Sequence, residues 1–272
     1  SSHCARLVLY PLGSAACDSH YPMLRFLLSI WLLAASRASC LRQVRERTLL
    51  TLDLARIPNA SVDMLGAFRS YTPASYQVHA SKPAGREHYR LLSSLASQLG
   101  PGDLMADIGT RYGTSAFAMA QPGLAKVNSF DIPESKELED SLAALGKSAD
   151  AINDLRDGRL FPNLRFHKAH LLEDEAAFRL VLDSKLVLLD TLHKPETQPF
   201  EYDFIRKLAD RGFSGVLLLD DIHLNDQMQR LWKQMLNRTD ARVVDVTAFG
   251  HWSGTGLVDF SRTVQVVSEN PM

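Results

Sequence analysis

The sequence predicts an α/β protein: a doubly wound sheet of seven strands, mostly parallel, with an antiparallel terminal hairpin and helices on both faces. Three observations lead there. From residue 86 onward, short apolar runs alternate with helical patterns of ten or more residues. The runs are nearly continuous in apolar character, which marks strands buried on both faces of a parallel sheet. The last two are joined only by the loop Gly250–Thr255, too short for a helix, so they pair antiparallel at one edge of a Rossmann-like sheet.

Taken in order, residues 1–50 differ from the rest, with six Arg, no Lys and only Asp18 and Glu46 as acids, a local charge of +4. Arg25, the apolar run Phe26 to Ala35 and then Ser36-Arg37-Ala38 have the layout of a secretory signal. The run is short of the roughly twenty residues a membrane span needs. The segment 1–38 is therefore expected to be a targeting piece, with an apolar N-terminal helix packed on the domain as the bland alternative. If Met23–Ala38 is a signal the protein enters the secretory pathway; otherwise it is cytoplasmic.

Residues 39–85 read as a helical lead-in and a loop rich in Pro, Ser and Tyr, capping a main domain over 86–272. Arg86–Leu99 places Leu92, Leu95, Ala96 and Leu99 on one helical face, and Gly100-Pro101-Gly102 stops it. Strands are expected at Leu104–Gly109, Lys126–Asp131, Leu164–Ala169, Leu186–Asp190, Gly215–Asp221, Arg242–Phe249 and Gly256–Phe260. A short helix follows at Ser115–Ala120, and others near 134–155, 173–182, 200–211 and 225–236. In the last, Met228, Leu231, Trp232 and Met235 fall at i, i+3, i+4, i+7, a core-facing stripe.

Composition narrows the function. Thirty Lys and Arg against thirty-one Asp and Glu leave a net charge of −1, which speaks against a polyanion binder and so against nucleic acid as a partner. Cys4, Cys17 and Cys40 all fall in the first forty residues, which excludes a cysteine zinc centre, disulfide framework or cysteine nucleophile in the main body. No other segment has the length to span a membrane.

In a doubly wound sheet, ligands bind beyond the carboxyl ends of the strands. Those ends carry Asp107-Ile-Gly-Thr-Arg-Tyr-Gly-Thr-Ser115, Asp131, Ala169-His170, Asp190-Thr-Leu-His193, Asp220-Asp-Ile-His223 and His251. One strand-end acid is as ordinary as a helix cap; their recurrence at one edge is not. In the first turn, Gly109 and Gly113 permit close backbone approach, and Thr114 and Ser115 offer hydroxyls at a helix start. The turn lacks the G-x-G-x-x-G of a pyrophosphate loop. Arg111 and Tyr112 stand where a bare phosphate loop would be, which suits a bulkier, non-phosphate ligand. Asp131 ends the next strand and can accept hydrogen bonds from both hydroxyls of a ribose. Together these residues predict a nucleoside cofactor.

These segments, with Lys82–Leu92, Leu188–His193, Leu218–His223 and Gly250–Gly256, resemble the class I S-adenosylmethionine-dependent methyltransferases over roughly residues 85–262. Within that superfamily the chain is similar to the O-methyltransferases related to catechol O-methyltransferase, and more so to metal-dependent sugar O-methyltransferases. The resemblance implies S-adenosyl-L-methionine as cofactor and a small-molecule hydroxyl, sugar or phenol, as acceptor. It places Asp107, Gly109 and Gly113 around the methionine part, with Thr110, Arg111, Tyr112 and Ser115 in the same turn, Asp131 on the ribose and His170 beside adenine. It also implies a divalent metal, Mg²⁺ by the hard-oxygen preference of its ligands Asp190, Asp220 and Asp221. Such an ion chelates the acceptor hydroxyl and lowers its pKa.

Asp190 and either His193 or His223 then carry the catalysis, a histidine taking the hydroxyl proton, with Lys194 a weaker base. His223 could instead join the metal shell, and either imidazole could be hydrogen-bonded scaffold. Capping of helix 225–236 is the alternative role for Asp220 and Asp221. Three convergent carboxylates would repel one another unless a cation or bound protons compensated. His251 and Trp252 line the acceptor pocket or pack the hairpin loop, and Tyr71, Tyr76 and His79 of the cap could face a ring or a sugar, with nothing in the spacing to decide between them. Two other functions stay open: a nucleotide-binding oxidoreductase, disfavoured by the first turn and the terminal hairpin, and a non-catalytic binding module. A homo-oligomer is compatible with the sequence.

Overall fold

The computed structural model describes residues 50–53, 57, 63, 65–193 and 198–267, without the side chains of 198 and 199; the Met23–Ala38 segment and the three cysteines lie outside these. In chain order the elements begin with β1 (Thr51–Asp53), a 3₁₀ turn (Gly66–Tyr71), α1 (Ala74–Ser81), α2 (Tyr89–Ala96), β2 (Leu104–Ile108), α3 (Thr114–Ala120) and β3 (Lys126–Asp131). They continue with α4 (Glu137–Ala144), α5 (Ala149–Arg156), β4 (Leu164–Lys168), α6 (Glu175–Leu182), β5 (Leu186–Leu189) and α7 (Gln198–Asp210). The last are β6 (Val216–Asp220), α8 (Asp226–Leu236), β7 (Arg242–Asp245), β8 (Thr255–Asp259) and β9 (Gln265–Val267).

Seven strands form one sheet in the order β4-β3-β2-β5-β6-β8-β7. All are parallel except β8, which inserts antiparallel between β6 and β7, with Leu218 opposite Leu257 and Val244 opposite Leu257 from the other side. The expected fold is therefore present, down to the terminal hairpin. Its central strands β5 and β6 read as continuous apolar runs because both faces are covered. Leu186, Leu188, Val216 and Leu218 enter one core with Leu92 and Leu95 of α2 and Phe117 of α3. Val187, Leu189, Leu217 and Leu219 enter the other with Phe178 of α6, Phe204 of α7 and Leu231 and Trp232 of α8. Each fully buried Leu or Phe here contributes about 1.5–3 kcal/mol, so the faces, more than local propensity, hold the sheet.

Several boundaries differ from expectation. The helix predicted over 134–155 breaks into α4 and α5. Gly146, at φ +76°, closes α4 with Lys147 N–H donating to Leu142 O at 3.0 Å and Gly146 N–H to Ala143 O at 2.9 Å, the paired bonds of a Schellman end. Ser148 then caps α5, accepting from Ala151 N–H at 3.2 Å. The strand from Arg242 stops at Asp245, whose carboxylate accepts from Thr247 N–H at 2.9 Å and turns the chain. In the cap, α1 occupies part of the stretch read as loop; it starts after Pro73, whose carbonyl accepts from Gln77 N–H at 3.0 Å. A residue without an N–H is harmless at a helix start. β1 pairs parallel with β9, Thr51 opposite Gln265, and Gln98 clamps Thr51 by two hydrogen bonds of 2.6 and 2.8 Å. No helix among the described residues is long and apolar enough to cross a membrane.

Candidate functional site

The chain crosses from one side of β2 to the other between β4 and β5, so β2 and β5 flank the topological switch point where ligand crevices form. A cavity of about 710 Å³ lies there, beyond the carboxyl ends of β2, β3, β4 and β5. The turn after β2 supplies Gly109, Thr110, Arg111, Tyr112 and Ser115 to its wall; Asp131 and His170 come from the ends of β3 and β4, and Asp190 from the end of β5. Gly109 has φ +99°, and a Cβ built on it would lie 1.8 Å from the carbonyl oxygen of Asp190. Only glycine lets the two loops touch in this way.

Asp107 and Gly113 do not line the cavity. The Asp107 carboxylate is fully buried and accepts from Ser129 Oγ at 2.6 Å, and Ser129 Oγ lies 2.6 Å from Thr110 Oγ1. Asp107 thus acts from beneath the turn, fixing its conformation. Burial pushes its carboxyl up to about 6, against the Ser129 and Ser115 hydroxyls that hold it down. Asp131 is pinned at the wall by Ile132 N–H at 2.9 Å and Ser135 Oγ at 2.7 Å. His170 stands 3.4 Å from Glu134. The cap closes one side: Tyr76 of α1 lines the cavity with its ring centroid 4.6 Å from that of Tyr112. Tyr71 packs instead on Phe161, and His79 bonds Glu87 at 2.7 Å.

Asp190 has a second role. Beyond it lies a cluster of acids and imidazoles gathered from the ends of β5 and β6, the loop before β8, the start of α2 and the first turn of α7. His193 Nε2 faces Asp190 at 3.5 Å and Asp221 at 3.7 Å, while its Nδ1 is bonded to the fully buried Glu201. Glu201 also accepts from Thr191 Oγ1 at 2.5 Å. His251 Nδ1 lies 3.0 Å from Asp221 and 3.5 Å from Asp220, and Ser253 Oγ donates to Asp221. His88, buried between strand ends, places Nδ1 3.3 Å from Asp220 and Nε2 4.0 Å from Asp190. Arg111, His193 and Asp221 all have positive φ, three of the four such non-glycine residues among those described. Each costs on the order of 1–3 kcal/mol and persists only where packing enforces it.

The expected repulsion among carboxylates is answered here by imidazoles. Burial alone would pull His88 down, but the charges of Asp220 and Asp190 raise it to about 9. His193 is likewise pulled down by burial yet raised to about 10 by Asp190 and Glu201. His251 rises for the same reason beside Asp221 and Asp220. Polar atoms are nevertheless left without hydrogen bonds in the buried cluster: both ring nitrogens of His88, Nε2 of His193 and Oε2 of Glu201. An orphaned buried group costs about 1–3 kcal/mol. Two sets of three residues bring one donor atom each within 4.8 Å of one another: His88, Asp190 and Asp220, and Asp220, Asp221 and His251. Donors of this kind, with ring nitrogens that make no hydrogen bond, fit a divalent cation.

The alternative that Asp220 and Asp221 cap α8 is not what is found: Asn225 is the cap, its side chain accepting from Gln227 and Met228 N–H, each at 3.0 Å. His223 bonds Asp245 at 3.0 Å on the exposed side, and no hydrogen bond or ion pair joins it to the three aspartates. Trp252 is 61% exposed, edge-on to His251, and does not line the cavity. Lys194 lies outside the described residues. Sequence reasoning did not single out His88 or Glu201. His88 falls four residues before Leu92 and seven before Leu95, a polar group on an apolar helical face, which is a readable mark.

A doubly wound sheet of seven strands with β8 reversed, and a cavity at its switch point, defines a Rossmann-like fold. Among solved structures, the chain is similar to S-adenosylhomocysteine-bound methyltransferase PaMTH1 of Podospora anserina at 13% identity, over 91% of this chain and 99% of that one, with a TM-score of 0.46. It is also similar to the O-methyltransferase TomG of Streptomyces achromogenes at 17% identity, over 73% and 86%, TM-score 0.41. A third likeness is to a Bacillus cereus O-methyltransferase at 14% identity, over 73% and 91%, TM-score 0.42. No protein family and no curated protein matches the sequence.

Proposed function

We propose that this protein transfers a methyl group from S-adenosylmethionine to a small-molecule hydroxyl, sugar or phenol, with a divalent ion at the acid cluster. One observation carries the reading: Asp190 belongs both to the wall of the cavity and to the cluster of acids and imidazoles, so a bound cofactor and a hydroxyl held at the cluster would be neighbours. Asp131 would accept the ribose hydroxyls, His170 would border the base, and the turn from Gly109 to Tyr112 would enclose the methionine part. The cofactor supplies the electrophilic methyl. Asp190, Asp220 and their neighbours would hold a divalent cation, which would supply acidification of the acceptor hydroxyl.

The chain's own residues do the rest. Glu201 holds His193 with Nδ1 as the hydrogen-bonded nitrogen, leaving Nε2 toward Asp190 and Asp221. With the acids' charge neutralised, Nε2 would release its proton to solvent and then accept the one leaving the acceptor hydroxyl. Tyr76 and Tyr112, whose ring centroids lie 4.6 Å apart, would shield the cap side of the bound cofactor.

Isothermal titration tests the cofactor. Wild-type protein should bind S-adenosylhomocysteine, and Asp131→Ala should weaken binding by about 1.5–3 kcal/mol, the worth of charged hydrogen bonds. Wild-type protein that does not bind it overturns the reading.

A further inference from the structure

We propose that the ion is a transition-type divalent cation, of the Mn²⁺ to Zn²⁺ series and not Mg²⁺, held by one imidazole nitrogen of His88 with carboxylate oxygens of Asp190 and Asp220. The inference rests on the metal-assisted reading above and replaces its all-oxygen ligand set. His88 is 3% exposed and neither of its ring nitrogens makes a hydrogen bond, although the ring sits between two acids. A buried imidazole whose nitrogens face two carboxylates yet make no hydrogen bond to them is a donor placed for a Lewis acid. The Nδ1 to Asp220 distance of 3.3 Å is the spacing of two adjacent ligands on one ion with bonds near ~2.1 Å.

The competing set, Asp220, Asp221 and His251, is already engaged internally. His251 Nδ1 is held by Asp221 at 3.0 Å and by Ser253 Oγ at 2.6 Å, and its Nε2 stands 3.6 Å from Glu87. Asp221 is further fixed by Ser253. His88 has no such alternative bonds. Asp190, whose side chain is 31% exposed at the cavity wall, leaves that side of the ion open to an incoming hydroxyl, as catalytic metal sites require. Mg²⁺ prefers oxygen and water ligands, whereas an imidazole nitrogen favours Mn²⁺ and later first-row ions.

The test uses the full chain, stripped with EDTA and dialysed, and reads metal binding directly. Titration calorimetry with MnCl₂ and with MgCl₂ should show one Mn²⁺ site at least ~30-fold tighter than any Mg²⁺ site. Pulsed EPR of the Mn²⁺ complex should show nitrogen modulation, retained in His251→Ala and lost in His88→Gln. His88→Gln should weaken Mn²⁺ by about 10–100-fold and move Mg²⁺ far less. Nitrogen modulation in the wild-type complex needs no variant, so a His88→Gln protein that fails to fold leaves the proposal open to refutation; histidine ¹⁵N labelling then assigns the nitrogen to histidine. Mn²⁺ bound without nitrogen modulation, or with equal Mg²⁺ affinity, overturns this inference and leaves an all-oxygen metal reading standing. Modulation lost in His251→Ala but kept in His88→Gln overturns it in favour of the other set. Binding of S-adenosylhomocysteine with no divalent ion bound at all overturns the metal part of the proposed function as well.

Discussion

The two halves of the carboxyl edge are built on opposite principles. Beyond β2, β3 and β4 the protein encloses space: a cavity of about 710 Å³ walled by glycine, hydroxyls, tyrosine rings and single acids held in place by local bonds. Beyond β5, β6 and the loop before β8 it packs charge: Glu87, Asp190, Glu201, Asp220 and Asp221 interleaved with His88, His193 and His251. The first half takes its shape from backbone conformation. The second takes its shape from mutual neutralisation. Affinity for the cofactor and the rate of transfer should therefore be separable by mutation.

The largest expected effect tests that separation. Glu201→Gln should lower turnover by about 10²–10⁴-fold, because an amide can turn its NH₂ toward His193 Nδ1 and impose the wrong tautomer. S-Adenosylhomocysteine affinity measured on the same variant should change less than about two-fold. A comparable loss of affinity would show that the halves are one unit.

Asp107→Asn probes the first half through pH. With its carboxyl raised from 3.8 to about 6, Asp107 holds a proton in the folded protein at a pH where the unfolded chain has lost it. Stability from this group therefore grows as pH falls from 6 toward 4, and above pH 6 the buried charge costs about 3 kcal/mol. Asp107→Asn should gain about 1–3 kcal/mol at pH 8, a gain that vanishes near pH 4. Urea melts at the two pH values decide it, and a gain independent of pH would mean that charge burial is not the cause.

The smallest effect sharpens the picture of the second half. Asn225 caps α8 and also donates to His193 O at 3.0 Å, tying the loop after β5 to the loop after β6. Asn225→Ala should cost about 1–2 kcal/mol, seen as a lower melting temperature, with turnover reduced and cofactor affinity intact.

The sheet was readable because each strand carries its own apolar run and each crossover its own helix. The turn from Asp107 to Ser115 was readable for the same reason: its residues are contiguous. β1 was not, since three residues become a strand only by pairing with Gln265–Val267 at the other end of the chain. Asp190, Asp220 and Asp221 could be found at strand ends, but their partners come from elsewhere. Glu201 sits in the first turn of α7, where an acid reads as an ordinary helix-start charge. His193 and His223 were indistinguishable in sequence; a positive φ turns the first inward to Glu201, and Asp245 draws the second away.

Gly109 gives the architecture a fixed measure. At that position a hydrogen stands where any other residue would carry carbon, and that carbon would meet the Asp190 carbonyl at 1.8 Å. Relieving such a collision would part the two loops by more than about an ångström, against a reaction that needs its atoms about 3–3.5 Å apart. On the function proposed above, the gap between methyl donor and acceptor would thus be calibrated by an atom the chain omits, with residue 109 as its shim.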